Sequence, residues 1–539
     1  MFSGNQNNHQ KHSFVWSDSA KIFLLFAAFC IVILAIIVRF VFIYKATHKA
    51  RYTRHIAMDG YKNPILSAEG DFIAISIKTQ DLYIDPNIVL DKPKTLKILQ
   101  KYFKNLEQAE IKRKLEKTSW ILVQRSINQK TLHSLIEEGL IGIKLQDSFK
   151  RIYPEDSLFS HIVGYTNIDG EGLAGVEKYY NDALYENSVS LSLNRAVQSI
   201  VHDELVGAVR KFRAKSAFAV IMDIKTGEII SSVSIPDFNP NNIQNSSGDA
   251  MRNAVSASAL ELGSVFKLFT LAFALENGVS EDYKIRTKDG IKIEGGRVIR
   301  DEHSTADEMS VSEVFYKSSN VGSGIMSLMF GDKKFVEFLT KLGVYKKLST
   351  NLPEGEIASP IFNKNDFSRS RIITTSYGYG VSLSALHFLA IANGIINDGK
   401  YLPPTFIKNG NKGISPVKIV SKQTSQKAIE IANKVVTEGT ARRAAIAGYK
   451  ICGKTGTSQK YDPAIKGWST EKKLLSFFSI FPCSNPKYVM YLAVDEPKPT
   501  PESNLHIYAN LYGGTVSAPV SSKIISVISP MLNIQTDKE

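Results

Sequence analysis

Three cysteines in 539 residues are too few for a disulfide framework. The ten histidines form no His-x-x-x-His pair on a helix and no cluster with cysteine, so no metal site or metal cofactor is expected. No internal repeat or low-complexity linker interrupts the chain. Its formal charge of +14 is not gathered into a basic stripe with interleaved aromatics. No nucleic-acid partner is expected, and attraction to an anionic membrane surface or wall polymer accounts for the charge. Among the long chain's features only one is a sustained apolar run; otherwise its length implies two or three domains.

That run is unbroken from 22 to 38 and continues past Arg39 to Tyr44. It is long enough to span a bilayer with Arg39 reaching the far interface. It exceeds a usual signal-peptide core, and Ala46-Thr47-His48 is a poor cleavage site, so an uncleaved anchor over 22–44 is expected behind a polar tail, 1–21, on the cytoplasmic side. Lys45, Lys49, Arg51 and Arg54 follow the run, against Lys11 and Lys21 before it. Short-loop charge would therefore keep the remainder inside. Long domains translocate largely regardless of that charge, and the chemistry below acts on an external substrate, so the remainder is placed outside.

Residues 45–190 read as a non-catalytic domain. Strands are expected at 73–78 and 82–86 and a charged surface helix at 96–115, with carboxylates on solvated faces. Residues 191–539 read as the catalytic domain, entered through an amphipathic helix at 195–209 and a first strand from Ala217.

The stretch 262–276 organises that domain. From Ser264 it reads as a buried helix, with Gly263 just before its first turn. Positions i and i+3 share a helix face, so Ser264 places its hydroxyl beside the Lys267 amine. A neutral amine can take the proton of a serine attacking a carbonyl, and apolar neighbours disfavour the ammonium form. Ser415/Lys418, Ser469/Lys472 and Ser484/Lys487 repeat the spacing, but two enclose a proline and one lies in a polar loop. Ser318-Ser319-Asn320 follows an amphipathic helical run and presents a hydroxyl and an amide at its end. Lys454-Thr455-Gly456-Thr457 follows a strand-like run. A second Lys-Thr-Gly, at Lys225, sits between two strands and reads as a hairpin turn.

Ser-x-x-Lys, Ser-x-Asn and Lys-Thr-Gly in this order resemble the class B penicillin-binding proteins, most closely the cell-division type. The resemblance extends to Arg151-Ile152-Tyr153-Pro154, His161-Ile162-Val163-Gly164, the segment 172–177, and Tyr512-Gly513-Gly514-Thr515. It also includes Gly378-Tyr379-Gly380, where Tyr379 stands in place of the family's usual Gln. The signature that usually follows the anchor is reduced to the segment 65–70.

The fold implied is an α/β transpeptidase domain, an antiparallel sheet between helical layers, on an extended pedestal. The activity implied is cross-linking of peptidoglycan stem peptides ending in D-Ala-D-Ala, through an acyl-enzyme that β-lactams would trap. Ser264 would be the nucleophile, Lys267 its base, and Ser318 the proton shuttle to the leaving or entering amine. Asn320 would hold the acyl-side amide, and Lys454 would supply positive charge that keeps Lys267 neutral. Thr455 and Thr457, flanking Gly456, would bind the substrate carboxylate, and the N–H groups of Ser264 and Thr457 would form the oxyanion hole. No cofactor is implied. The implied setting is the bacterial inner membrane, among division proteins that include a glycan-polymerising membrane partner. The alternatives are a D,D-carboxypeptidase or β-lactamase that passes the acyl group to water, and a non-catalytic penicillin sensor or division scaffold.

Cys452 and Cys483 are expected near one another on adjacent antiparallel strands. If Thr457 lies opposite a residue between 475 and 478, Cys452 falls opposite one between 480 and 483. Directly opposed side chains lie within reach of a bridge, but a slip of one residue turns them to opposite faces. Two free buried thiols are the favoured expectation.

Overall fold

A computed structural model describes residues 26–27, 29–39, 61–103, 108–301, 306–353, 357–362, 367–503 and 511–537. The chain divides into two units, Met1–Tyr61 and Lys62–Glu539. In the first, residues 29–39 are helical, with Phe29, Ile31, Leu34 and Val38 exposed. Among the described residues no helix is long and apolar enough to cross a membrane. The tail 1–21 and residues 22–25, 28 and 40–44 of the expected anchor lie outside the described residues.

The second unit begins with a small sheet. Its long strand β1 (Phe72–Ile84) pairs antiparallel with β2 (Ile121–Gln124) and β3 (Ile143–Ile152). The two short strands expected at 73–78 and 82–86 are thus one strand. Thr79-Gln80-Asp81 contains no Gly or Pro to break it, and Asp81 turns its carboxylate to the Ser126 N–H at 2.9 Å. The single helix expected at 96–115 is two, α1 (Lys92–Tyr102) and α2 (Gln108–Leu115). Asp91 caps α1 by accepting from Lys94 N, and Pro93 occupies its first turn, where a missing N–H costs nothing.

Leu82, Ile84, Leu99, Leu115 and Leu135 form a separate small core at this end. At the other end, Ile65, Ile73, Tyr153, Leu184 and Val189 belong to the main core of the catalytic domain. Not every carboxylate here lies on a solvated face. Glu177 is wholly buried and accepts from Arg151 Nε at 2.6 Å and Lys62 Nζ at 3.3 Å. Arg151 also donates to the Lys62 and Asn63 carbonyls at 3.0 and 3.1 Å, tying β3 to the chain that enters the unit.

Helix α3 (Arg195–Phe212) starts where Asn194 accepts from Val197 N, and it ends on Arg213 in the left-handed region. It leads into β4 (Ser216–Asp223), which forms a hairpin with β5 (Ile229–Ile235). The remaining strands come from the far end of the chain: β6 (Cys452–Asp462), β7 (Gly467–Phe481) and β8 (Tyr488–Asp495). The five are antiparallel in the order β6-β7-β8-β4-β5, which leaves β6 at an edge. Burial is nearly continuous along β4, β5, β8 and the adjoining parts of β6 and β7, as expected of strands covered on both faces, while the β6–β7 hairpin end is exposed.

Helix α3 packs along β5 and against α8 (Ser517–Met531). On the sheet's other side lie α4 (Lys267–Glu276) and α7 (Ala385–Ile396). Phe388 of α7 meets Phe269 of α4 at 5.3 Å, and Phe478 and Tyr491 of the sheet at 5.7 and 5.5 Å. Each such ring contributes about 1.5–3 kcal/mol by burial. This mixed α/β architecture has helices on both faces of its antiparallel sheet.

Cys452 lies opposite Ile480, the low end of the range read from the sequence. β7 then ends and the chain turns at Pro482, which brings the Cys483 N–H to the Lys450 carbonyl at 2.7 Å. Cys452 and Cys483 are joined in a disulfide with their Cα atoms 5.4 Å apart. The free thiols expected from strand register are therefore not found. Cys483 is not on the ladder, so a register argument could not place it.

Candidate active site

Ser264 does not open an α-helix directly. Gly263–Phe266 forms one 3-10 turn, and α4 begins at Lys267. The tighter turn still carries the Lys267 side chain back over Ser264, with Nζ 3.0 Å from Ser264 Oγ. Lys267 is wholly buried. Its Nζ lies 2.7 Å from the Ser318 carbonyl and 2.7 Å from Asn320 Oδ1, two oxygens that only accept. A neutral amine that gives one N–H to each keeps its lone pair for a hydroxyl.

Ser318 follows α5 (Val311–Tyr316) and its cap Lys317, and Ser319 caps α6 (Asn320–Leu328) by accepting from Gly322 N at 2.8 Å. Between the helices Ser318 takes φ +67°, a left-handed conformation that costs a non-glycine residue about 1–3 kcal/mol. That conformation aims both its carbonyl and its hydroxyl at Lys267. Ser318 Oγ sits between two amines, 3.1 Å from Lys267 Nζ and 2.9 Å from Lys454 Nζ.

Lys454 is also wholly buried, with its ammonium position 5.7 Å over the Phe315 ring. Burial first, and the Lys267 charge second, hold its amine well below the usual lysine range.

The other members of the third motif lie on the edge strand. Residues 452–459 keep one register with β7, so alternate peptides face away from the sheet. Thr457 is one of these, and its carbonyl lies against Gly263, where a Cβ would sit 2.8 Å from it. Thr455 Oγ1 pairs with Thr440 Oγ1 at 2.6 Å, and Thr457 Oγ1 accepts from Gly513 N at 3.2 Å. At Gly456 a Cβ would be 3.1 Å from the Leu262 carbonyl and 2.2 Å from Ser476 Oγ, so its bare backbone lets the strand lie close to the nucleophile turn.

The structure thus brings Ser264, Lys267, Ser318, Asn320 and Lys454 into one hydrogen-bonded cluster, with Thr455, Gly456 and Thr457 along its rim. The decoy pairs are used elsewhere. Lys472 Nζ pairs with Asp462 at 2.7 Å, Ser484 Oγ donates to Asp537, and Lys418 lies exposed on a short strand. Lys225 lies in the β4–β5 turn as expected, its amine 2.9 Å from Asn397 Oδ1.

Some supporting residues went unseen in the sequence. Asp301 accepts from Ser319 Oγ at 2.5 Å, Asn320 N at 2.6 Å and Val321 N at 3.1 Å, fixing the start of α6. Glu261 Oε1 accepts from Gly380 N at 2.7 Å, while Arg371 Nη1 donates to the Gly380 carbonyl at 3.2 Å. Burial pushes the Glu261 carboxyl up, and among the described residues its buried Oε2 has no hydrogen-bond partner. Gly263 N donates to the Gly378 carbonyl at 3.3 Å, so the 378–380 loop braces the turn that carries Ser264. No local pattern marks Asp301 or Glu261, because each acts on residues brought to it by folding.

The family profile described as penicillin binding protein transpeptidase domain matches residues 217–526, and that described as penicillin-binding protein dimerisation domain matches 63–188. Over 506 residues the chain is 28% identical to the probable peptidoglycan D,D-transpeptidase FtsI of Caulobacter vibrioides, covering 89% of this chain and 83% of that one. It is 26% identical to the peptidoglycan D,D-transpeptidase FtsI of Escherichia coli K12, covering 78% and 74%. The crystal structure of penicillin-binding protein 3 from Mycobacterium tuberculosis, complexed with aztreonam, shares the fold at a TM-score of 0.69 and 23% identity, covering 89% of this chain and 97% of that one.

Proposed function

Because this chain belongs to the penicillin-binding protein transpeptidase family, with relatives of the class B division type, we propose that it is a serine-type peptidoglycan D,D-transpeptidase of septal wall synthesis. The observation that carries this reading is Lys267 Nζ, 3.0 Å from Ser264 Oγ with its N–H donors directed to the Ser318 carbonyl and Asn320 Oδ1.

Ser264 Oγ attacks the carbonyl of the penultimate D-alanine of a stem peptide, and its proton passes to Lys267. The negative charge that forms on the carbonyl oxygen is taken by the N–H groups of Ser264 and Thr457, where one such donor is worth about 3–4 kcal/mol. As the C–N bond breaks, the leaving D-alanine amine receives a proton through Ser318, which touches both lysines and so connects the base to the leaving group. The acyl-enzyme is then attacked by an amine of a second stem peptide. The proton it loses returns by the same route, and Ser264 leaves as its hydroxyl. Asn320 orients the acyl-side amide, and Lys454, Thr455 and Thr457 receive the substrate carboxylate beside Gly456. A β-lactam would acylate Ser264 in the same way and keep its amine tethered at the site.

Anchoring by residues 22–44, with the catalytic unit outside the inner membrane, belongs to this reading. The apolar run and the exposed apolar side chains along 29–39 support it. Division proteins, including a glycan-polymerising membrane partner, are the proposed company.

The test is covalent labelling by a fluorescent penicillin, followed by donor turnover with and without an amine acceptor. Labelling of wild type and none of Ser264→Ala, with acyl transfer favouring the amine over water, is the expected result. Stoichiometric labelling of the alanine variant would place the nucleophile elsewhere. Transfer to water alone would assign a carboxypeptidase or β-lactamase.

A further inference from the structure

An open edge strand is a template for another extended chain, and β6 is such an edge beside Ser264. Its outward-facing peptides alternate, so those of Thr457 and Gln459 both point away from β7. The Thr457 peptide faces the Gly263–Ser264 turn. The Gln459 N–H, one ladder step further, instead donates to Tyr379 Oη at 3.1 Å. A phenol oxygen occupies the place where the carbonyl of a bound peptide would come.

The ring that carries this oxygen is held firmly. Trp468 meets it edge-on at 5.6 Å, Tyr377 flanks it at 5.9 Å, and Gly378 and Gly380 on either side take φ +90° and +81°. Just beyond, the β6–β7 register shifts between Gln459 and Tyr461, which ends the regular edge.

We propose that Tyr379 caps the substrate-facing edge of β6 at Gln459, so that a donor peptide pairs with the strand as far as Thr457 and no further. It rests on the transpeptidase reading above, in which the donor's C-terminal carboxylate lies at Thr455 and Thr457. An antiparallel donor then runs its N-terminal residues toward Gln459, and the cap falls on the part of the stem peptide remote from the scissile bond. Tyr379 is therefore a specificity-determining residue for the length of donor held by the backbone, distinct from the groups that carry out acyl transfer.

The full chain in detergent is assayed with two thioester donors that share a D-alanyl-thioglycolate head. One is N-benzoylated; the other carries an N-acetyl-dipeptide extension. Tyr379→Phe keeps the ring contacts and releases the Gln459 N–H. Acylation by the extended donor should then rise about fivefold, as expected for one net backbone hydrogen bond, with the benzoyl donor unchanged. An equal change with both donors would overturn the cap, because a general disturbance of the loop does not distinguish donor length. A selective loss with the extended donor would overturn it too, by making the phenol a donor contact. If neither donor acylates wild type, the transpeptidase reading itself fails, and the inference with it.

Discussion

Gly378→Ala separates backbone strain from misplacement of the nucleophile. At φ +90° an alanine there pays about 1–2 kcal/mol for its conformation alone. Its Cβ would also lie 2.2 Å from the Gly263 carbonyl oxygen and 2.8 Å from the Gly263 Cα. An ordinary C···O contact is about 3.3 Å, so the two segments must part by about 1 Å. Gly263 immediately precedes Ser264, and a displacement of about 1 Å at a reacting group costs about 100-fold in rate. Gly331→Ala is the matched control: φ is +88°, but nothing lies within 4 Å of the added carbon. Thermal unfolding should show a loss of about 1–2 kcal/mol for Gly331→Ala from strain alone, and a larger loss for Gly378→Ala, where the contact with Gly263 adds to it. Only Gly378→Ala should slow acylation by a fluorescent penicillin, by about two orders of magnitude. Equal acylation rates in folded samples of the two variants would refute the idea that the 378–380 loop braces the nucleophile.

Lys454→Ala should slow acylation by orders of magnitude, because it removes one of the two amines on Ser318 Oγ, whereas Lys225→Ala in the β4–β5 turn should leave the rate unchanged. The buried His387 ring has its pKa pushed down to about 4 by desolvation, against about 6.5 in the unfolded chain. The unfolded state therefore takes up the proton first as pH falls, so stability present above pH ~6.5 should decline toward pH ~4 by about 3 kcal/mol. His387→Gln should remove that component from the pH dependence of the melting temperature; an unchanged dependence would refute the assignment. Thiol counting on denatured, non-reduced full chain should find one free thiol, Cys30, with Cys452 and Cys483 linked. Three thiols would exclude the disulfide, whose closed loop supports a contribution of about 2–4 kcal/mol.

The spacing, context and order of three motifs, together with their resemblance to the penicillin-binding proteins, picked out the cluster. Ser264 and Lys267 are three residues apart, and that spacing sets them face to face whether the turn is 3-10 or α. Ser318 and Asn320 could likewise be picked out as a hydroxyl and an amide after an amphipathic helical run, although in the fold Asn320 opens the next helix. The hairpin turn at Lys225 and the strand carrying Lys454 were legible from their flanks. Each of these depends on neighbours within a few residues, where local geometry decides.

Tertiary packing decided the rest. Glu177 looked like one more surface carboxylate until Lys62 and Arg151 closed over it. Asp301 and Glu261 act on backbone N–H groups 19 and 119 residues away. Cys483 met Cys452 because the chain turns at the end of β7, outside the ladder from which a register can be counted. The charge of Lys454 depends on a second amine 187 residues earlier and on burial of both, and sequence distance carries no information about either. A motif can specify which groups are present, but their protonation and direction are set by the dielectric and the neighbours that only the folded chain supplies.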